Sequence, residues 1–238
     1  MTHSVDLLFP DQRFVFDVER GSAALQPAGD SPTGFRAYKE LQAAGRRAAM
    51  LVIPNSCLIQ ASRPYIVDPG LAMQGAPYST AIESYGVNPF LVQDVILTHL
   101  HFDHVGGLIE FPGRRAYVHR IELDAPYAGL QKGLLESVDL EILDGDEGEI
   151  EPGLRWILTP GHCDGLITLL IDTADGLVAI PSDCVGPLPE YFDEMRLPED
   201  FPQREVLLEQ WRKIRSFAPA RIVPGHYAPF KLADRPEL

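Results

Sequence analysis

The 238-residue sequence has few cysteines, few basic residues and no long apolar run. Its three cysteines, Cys57, Cys163 and Cys184, form no Cys-x-x-Cys pair, which excludes a disulfide framework and a thiolate zinc finger. No segment approaches the roughly 18 apolar residues of a membrane span. The first residues also lack the basic start and apolar run of a signal peptide. These absences predict a cytoplasmic protein with reduced thiols and no membrane partner.

Acidic residues outnumber basic ones. The 34 Asp and Glu against 20 Lys and Arg give a formal net charge of −14. Such a chain repels nucleic-acid phosphates and acidic lipids, so we expect a small-molecule substrate and no nucleic-acid partner. With 45% hydrophobic residues, the chain has enough apolar surface to bury a core.

Apolar, β-branched runs bounded by turn residues predict strands. They lie at Met50–Ile59, Tyr65–Val67, Val95–Leu97, Ala116–Val118, Trp156–Leu158, Thr168–Ile171, Leu177–Ile180 and Ala220–Val223. Helical patterns occur at Thr80–Tyr85, Arg120–Ala128 and Arg204–Phe217. Strand groups alternating with helices favour an α/β fold of two sheets with helices outside. We expect Gly21–Phe35 to be a surface loop or lid and acidic Asp139–Glu151 to be a solvated loop.

The most informative segment is VILTHLHFDHVGG, in which an apolar strand is followed by four polar side chains. In an extended segment alternate residues share a side, so His99 and His101 can face one metal ion. Past a bend, Asp103 and His104 can face a second ion. The Gly-Gly pair that follows allows a close approach of backbone. The pattern therefore predicts a metal site.

Three further candidate ligands follow predicted strands: His162 in TPGHCDG, Asp183 in IPSDCVG and His226 in IVPGHY. A strand end presents a side chain rigidly at the rim of a sheet. Imidazoles and carboxylates in this mixture suit zinc, manganese or iron. By contrast, we expect His3 to be a disordered surface residue and His119 to be structural.

These motifs resemble those of the metallo-β-lactamase superfamily, whose hydrolases carry His-x-His-x-Asp-His, a TPGH turn, a strand-end Asp and a final Gly-His. The resemblance covers roughly Met50 to Phe230. It implies an αββα sandwich of two mixed sheets with helices outside. It also implies a single domain over residues 1–238, with an N-terminal strand and loop or lid region at 1–47 and a metal-binding core at 48–230.

The resemblance implies two divalent metal ions, with zinc expected and manganese, iron or cobalt as alternatives. It assigns the seven candidate ligands to these ions: His99, His101 and His162 to one, Asp103, His104 and His226 to the other, and Asp183 to both. Asp68, in the turn VDPG, would support the ligands from behind.

The spacing of the ligands is most similar to that of the N-acyl homoserine lactonases, with gaps of 58, 21 and 43 residues from His104 through His162 and Asp183 to His226. The resemblance implies a hydrolase that opens a lactone or cleaves a small carboxylic ester through a metal-bridging hydroxide. Asp103 would then carry a proton to the leaving oxygen.

One position departs from the lactonase pattern. The lactonases carry a tyrosine three residues after the bridging aspartate, and Gly186 occupies that position here. Tyr191 and Tyr227 are the candidates for supplying the missing hydroxyl. Cys163 and Cys184 directly follow two candidate ligands, and we expect both to be small buried residues.

Other functions remain open on the same motif. They are a mononuclear iron dioxygenase of the persulfide type, a thioester hydrolase, a phosphodiesterase and a non-catalytic metal-binding module. A closed ligand shell without an open position would favour the last of these. The resemblance is also compatible with a homodimer.

Overall fold

The computed structural model describes residues 3–9, 13–17, 22–26, 41–52, 54–71, 77–185 and 189–232. Within these ranges the strands are β1 Ser4–Leu7, β2 Arg13–Asp17, β3 Ser22–Gln26, β4 Ala48–Val52, β5 Cys57–Gln60, β6 Pro64–Val67, β7 Asp94–Ile96, β8 Arg115–His119, β9 Asp139–Leu143, β10 Glu147–Glu151, β11 Leu154–Leu158, β12 Ile167–Thr173, β13 Gly176–Ser182 and β14 Arg221–Pro224.

The α-helices that lie wholly within these ranges are α1 Tyr78–Ser84, α2 Phe102–Val105, α3 Arg120–Leu123, α4 Lys132–Leu135, α5 Pro189–Asp193 and α6 Arg204–Ser216. Shorter 3₁₀ turns span Pro89–Leu91, Gly106–Glu110 and Ala128–Gln131. Among the described helices, none is long and apolar enough to cross a membrane.

The strands form two mixed sheets and one small sheet. The first sheet has the order β1-β5-β6-β7-β8-β9, antiparallel as far as β6 and parallel beyond it. The second has the order β10-β11-β12-β13-β14 and is antiparallel except for its last pair. The small antiparallel sheet has the order β3-β2-β4.

The two large sheets pack face to face around an apolar core. Cys57 and Ile59 of β5 lie in this core with Trp156 and Leu169 of the second sheet. Leu58, between them in sequence, lies instead in the cluster that includes helix α1. This alternation follows the two-residue period of a strand. Each such buried side chain stabilises the fold by about 1.5–3 kcal/mol.

Helices cover the outer faces of both sheets. On the second sheet, Leu207, Trp211 and Ile214 of α6 are buried against strand residues such as Leu170 and Ala179. The three helical residues recur at the spacing that predicted this helix. The order of the layers is therefore helix, sheet, sheet, helix. This order confirms the predicted αββα architecture.

Two local expectations about strands and loops are wrong. The run Met50–Ile59 is two strands, β4 and β5, which belong to different sheets. Acidic Asp139–Glu151 forms β9 and β10, each an edge strand whose carboxylates alternate with half-buried residues. Charged side chains on the outward face of an edge strand are compatible with pairing, so acidity alone does not predict a loop.

The N-terminal region also differs from expectation. His3 is buried, and its Nδ1 lies 2.9 Å from the carbonyl oxygen of Asp172. Part of the predicted loop Gly21–Phe35 is strand β3, Ser22–Gln26; residues 27–35 lie outside the described residues.

Candidate metal centre

The motif residues lie where β7 gives way to helix α2. Strand β7 ends at Ile96, and α2 begins directly after His101. Asp103 and His104 lie in the helix, whereas His99 and His101 precede it. The chain therefore bends between the two pairs of candidate ligands, as the sequence predicts.

The Gly-Gly pair lies against the loop that follows β6. A Cβ atom at Gly107 would be 2.1 Å from the carbonyl oxygen of Pro69. The Gly107 N–H donates to the Gly70 carbonyl at 2.7 Å, and the Gly70 N–H donates to the His104 carbonyl at 2.9 Å. The expected close backbone approach is confirmed, and it fixes α2 against this loop.

His99, His101 and His162 form one cluster, the three-histidine group. His101 Nδ1 lies 3.1 Å from His99 Nε2 and 2.9 Å from His162 Nε2. His99 is fully buried, whereas the side chain of His162 is 32% exposed. Three ring nitrogens thus converge on one point that solvent can reach from the side of His162.

Asp103, His104 and His226 form a second cluster, the Asp-His-His group. His104 Nε2 lies 3.4 Å from His226 Nε2. Asp103 Oδ2 lies 3.5 Å from His226 Nε2 and 3.9 Å from His104 Nε2. In each group the three candidate ligand atoms lie within 4.8 Å of one another.

Asp183 lies between the two groups. Its Oδ1 is 3.6 Å from His104 Nε2, and its Oδ2 is 3.4 Å from His162 Nε2 and 3.2 Å from His226 Nε2. It follows directly after strand β13 and packs against Gly225, where a Cβ would be 1.8 Å from Asp183 Oδ1. The structure therefore brings all seven sequence-predicted ligands together, with the carboxylate of Asp183 reaching both groups.

Asp68 supports the site from behind. Its Oδ2 lies 2.9 Å from His104 Nδ1, and its Oδ1 accepts the Thr98 N–H at 2.8 Å. The Thr98 hydroxyl donates to Asp68 Oδ2 at 2.6 Å and lies 3.1 Å from His99 Nδ1. Since that hydroxyl uses its one hydrogen on Asp68, it accepts from His99. With metal bound, both histidines would therefore carry hydrogen on Nδ1 and keep the Nε2 lone pair for the ion.

This arrangement fits bound cations. The converging nitrogens of the three-histidine group lie too close together for all of them to carry hydrogen. Among the described residues, the buried Asp183 Oδ1 also accepts no hydrogen bond. A divalent ion in each group would satisfy these lone pairs, and His and Asp are ordinary zinc ligands.

The pKa values of the candidate histidine ligands are shifted in different directions. Burial lowers the pKa of His99 well below its usual 6.5, and burial also lowers the pKa of His162. Burial works against protonation of His104 as well, but the carboxylates of Asp183 and Asp68 raise its pKa well above 6.5. For Asp183, burial opposes ionisation, whereas His226 and His104 lower its pKa well below 3.8.

The cysteines beside the ligands are protonated thiols. Burial, followed by the carboxylate of Glu122, raises the pKa of Cys163, and burial raises the pKa of Cys184 to about 12. Cys184 is buried and Cys163 half-buried. Neither has the depressed pKa of a thiolate ligand or nucleophile.

An apolar cavity of about 410 Å³ opens on the site. Its lining includes the candidate ligands His162, Asp183 and His226, the apolar residues Leu197, Phe201, Leu207 and Trp211, and Tyr227. Tyr191 is not among its lining residues, and the Arg196 guanidinium lies over its ring, 5.6 Å from the centroid. Gly186 lies outside the described residues.

Several supporting residues have no sequence signal of their own. Ser182, whose hydroxyl donates to Asp68 Oδ2 at 3.2 Å, and Glu122, buried beside the motif, are common residue types at ordinary positions. Thr98 could have been suspected because it adjoins His99. Each of the three has at least one partner from a distant part of the chain.

The model of the metallo-beta-lactamase superfamily matches residues 49–226. An N-acyl homoserine lactonase of Bacillus cereus is 32% identical over 120 residues, which cover 49% of this chain and 48% of that protein. The chain thus spans about half the length of this relative in the match. A candidate metallo-beta-lactamase of Thermotoga maritima has a similar structure, with a TM-score of 0.68, 20% identity and coverage of 97% and 100% of the two chains.

A further structure is that of an N-acyl homoserine lactone hydrolase with its product N-hexanoyl-L-homoserine at the catalytic metal center. It has a TM-score of 0.63 at 21% identity and covers 95% of this chain and 93% of that one. With fold, motif and family model in agreement, this chain belongs to the metallo-beta-lactamase superfamily. The predicted similarity to the N-acyl homoserine lactonases is confirmed.

Proposed function

We propose that this chain is a dinuclear metal-dependent hydrolase that opens lactones or cleaves small carboxylic esters. The observation that carries the proposal is the convergence of two ligand groups on Asp183 beside an open cavity. The matching lactonase of Bacillus cereus supports it. Zinc is the expected metal because the ligands are imidazoles and carboxylates.

Two divalent ions in this site would lower the pKa of water towards neutrality and polarise a carbonyl group. The chain itself provides rigid positioning and proton transfer. Asp183 is held between the two groups by the backbone around Gly225. The Asp103 side chain is 40% exposed, and its Oδ2 is 3.5 Å from His226 Nε2. Asp103 is therefore accessible to solvent, and we assign it the transfer of a proton from the attacking water to the leaving alkoxide oxygen.

The raised pKa values of Cys163 and Cys184 argue against a thiolate nucleophile at neutral pH. The same conclusion favours attack by water rather than by a side chain. Among the described residues that line the cavity, none is Lys or Arg. This composition favours an ester or lactone over a phosphodiester, because the described lining offers no basic side chain to pair with a phosphate.

The cavity indicates the kind of substituent that the substrate carries. Its walls at Leu197, Phe201 and Trp211 are apolar, and the candidate ligands His162, Asp183 and His226 also line it. An alkyl or acyl group in the cavity would therefore leave the ester carbonyl near Asp183. Apolar walls with a few polar groups at one end are typical of small-molecule sites.

The test is ring opening measured as acid release by the zinc-loaded chain. The panel contains short- and long-chain acyl homoserine lactones, simple lactones, a thioester and a phosphodiester. We expect lactone opening that Asp183→Asn abolishes and that Asp172→Asn, at an exposed residue paired with Arg155, leaves unchanged. Full metal occupancy without lactone or ester cleavage would contradict the proposal, as would oxygen consumption with one iron per chain.

Phe201→Ala tests the cavity separately. Phe201 is half-buried in the wall, and half-buried Phe217 packs on the same cluster without lining the cavity. We expect Phe201→Ala to raise KM for long-chain substrates about 10-fold through lost apolar burial, with kcat for short substrates retained. Phe217→Ala is the matched control, and equal effects of the two substitutions would exclude this role for the cavity.

A further inference from the structure

Glu122 is a fully buried acidic residue outside the candidate ligand set. It lies in α3, the short helix that follows β8. Among the described residues, no Lys, Arg or His forms an ion pair with it. A buried carboxylate is costly unless its oxygens accept hydrogen bonds, so its partners indicate why it is there.

The hydrogen-bond donors to Glu122 include two backbone N–H groups and one phenol, and the Cys163 thiol also lies beside it. Glu122 Oε2 accepts the Leu100 N–H at 2.8 Å, and Oε1 accepts the Gly165 N–H at 3.1 Å. The Tyr127 hydroxyl donates to Oε2 at 2.9 Å. Both oxygens are thus used, and the acceptor-only carboxylate matches three donors.

The two N–H groups belong to the two loops that carry the three-histidine group. Leu100 lies between His99 and His101, and Gly165 is three residues after His162. Those loops are far apart in sequence, but His162 Nε2 lies 2.9 Å from His101 Nδ1. One carboxylate therefore joins the two segments whose relative position sets this distance.

Glu122 is tightly packed by its neighbours. A Cβ atom at Gly165 would lie 2.7 Å from the Glu122 nitrogen and 2.9 Å from its Oε1. The Tyr127 ring packs against the His101 ring, with 4.6 Å between centroids. Tyr127 thus contacts a candidate ligand with its ring and donates to Glu122 through its hydroxyl.

We infer that Glu122, held by Tyr127, is a positioning residue for the metal ion of the three-histidine group. It acts through the backbone of the two loops rather than by contact with metal or substrate. The inference depends on the metal binding proposed above. Because its bonds reach only the loops of His99, His101 and His162, loss of Glu122 selectively weakens that group.

Glu122→Gln is the sharpest substitution, because the side chain keeps its size while one acceptor oxygen becomes an NH₂ donor facing a backbone N–H. Asp94→Asn is the matched control: Asp94 is also a fully buried carboxylate, but it lies at the other end of β7 and its partners are Arg63, Arg115 and the Tyr117 hydroxyl. Tyr127→Phe removes only the phenol hydroxyl and is the milder second variant.

The experiment starts from the full chain loaded with two Co²⁺ ions. Chelator competition measures the affinity for each ion, and the visible d–d bands report ligand geometry. Loss of a residue that orients metal ligands costs about 10- to 100-fold in affinity. We expect this loss for one of the two ions in Glu122→Gln with altered bands, a smaller shift in the same direction in Tyr127→Phe, and wild-type behaviour in Asp94→Asn.

The outcomes separate the two proposals. A wild-type chain that binds no Co²⁺ contradicts the proposed function itself. Wild-type chain that binds two ions, with folded Glu122→Gln showing the same bands and affinities, overturns only the role of Glu122. Equal weakening by Asp94→Asn would also overturn it, because the effect would then be general destabilisation. If Glu122→Gln does not fold, unchanged bands in Tyr127→Phe overturn the inference.

Discussion

The two ligand groups of the candidate metal centre are supported in different ways. In the Asp-His-His group, the carboxylate of Asp68 lies 2.9 Å from the Nδ1 of a candidate ligand, His104. In the three-histidine group, the carboxylate of Glu122 accepts backbone N–H groups of the ligand loops. One buried carboxylate therefore orients a ring, and the other fixes the spacing between two segments.

The histidines of the two groups also differ in their pKa values. Against the effect of burial, Asp183 and then Asp68 raise the pKa of His104, whereas burial lowers that of His99 and, in the same group, His162. A carboxylate that accepts a hydrogen bond from an imidazole ring changes the pKa of that ring. A carboxylate that accepts backbone N–H groups changes mainly the positions of the ligands. Substitutions of Asp68 and of Glu122 should thus weaken the binding of different ions.

The largest effect is expected where both groups meet. Gly225→Ala places a Cβ 1.8 Å from Asp183 Oδ1, so the carboxylate that reaches both groups must move. We expect affinity for both ions to fall by at least about 100-fold, measured by chelator competition. Gly133→Ala is the control, since a Cβ there meets nothing within 4 Å. Retention of both ions in Gly225→Ala would show that Asp183 does not need this position.

The second-largest loss of metal affinity is expected on substitution of Asp68. Asp68→Asn keeps the shape and suits the positive φ of 45° at this position, but it replaces one carboxylate oxygen by an NH₂ group. We expect about 10- to 100-fold weaker binding of the ion in the Asp-His-His group, with a smaller change at the other. Metal titration resolves the two ions, and Asp94→Asn is again the control. Equally weakened binding of both ions would contradict the conclusion that different carboxylates support the two groups.

The smallest effect is a difference in titration within the metal-free protein. His104, with its raised pKa, should be cationic at pH 7, while His99 should be neutral. Stability contributed by His104 is present below pH 6.5 and is lost as pH rises through its folded-state pKa. For His99 the sign is opposite: stability present above pH 6.5 is lost as pH falls.

Nitrogen-detected NMR of the imidazole rings measures this difference directly. We expect His104 to show two protonated ring nitrogens at pH 7 and His99 to show one. Asp68→Asn should move the His104 titration to lower pH and leave His99 nearly unchanged. Titration of both histidines near pH 6.5 would mean that the two groups share one environment.

The sequence was sufficient to predict the candidate ligands and the layered fold. Local spacing determines on which side of the bend His99, His101, Asp103 and His104 lie, and alternating apolar residues identify most core strands. His162, Asp183 and His226 follow strands, so they meet at the same rim of the sandwich.

The supporting residues could not be predicted in the same way. Glu122 and Ser182 obtain their roles from contacts with segments distant in sequence. The acidic edge strands β9 and β10, which belong to different sheets, were missed because the outward face of an edge strand accepts charge that a central strand does not. His3 was missed because its buried position depends on β12, where the Asp172 carbonyl faces its ring.

The central claim is that both ligand groups bind metal and act together on a lactone. The most direct measurement is the rate of lactone opening against the number of zinc ions bound per chain, determined by elemental analysis of the same samples. The account predicts little activity up to one ion and a rise that ends at two. Full occupancy by two ions without lactone opening, or maximal activity with a single ion, would contradict it.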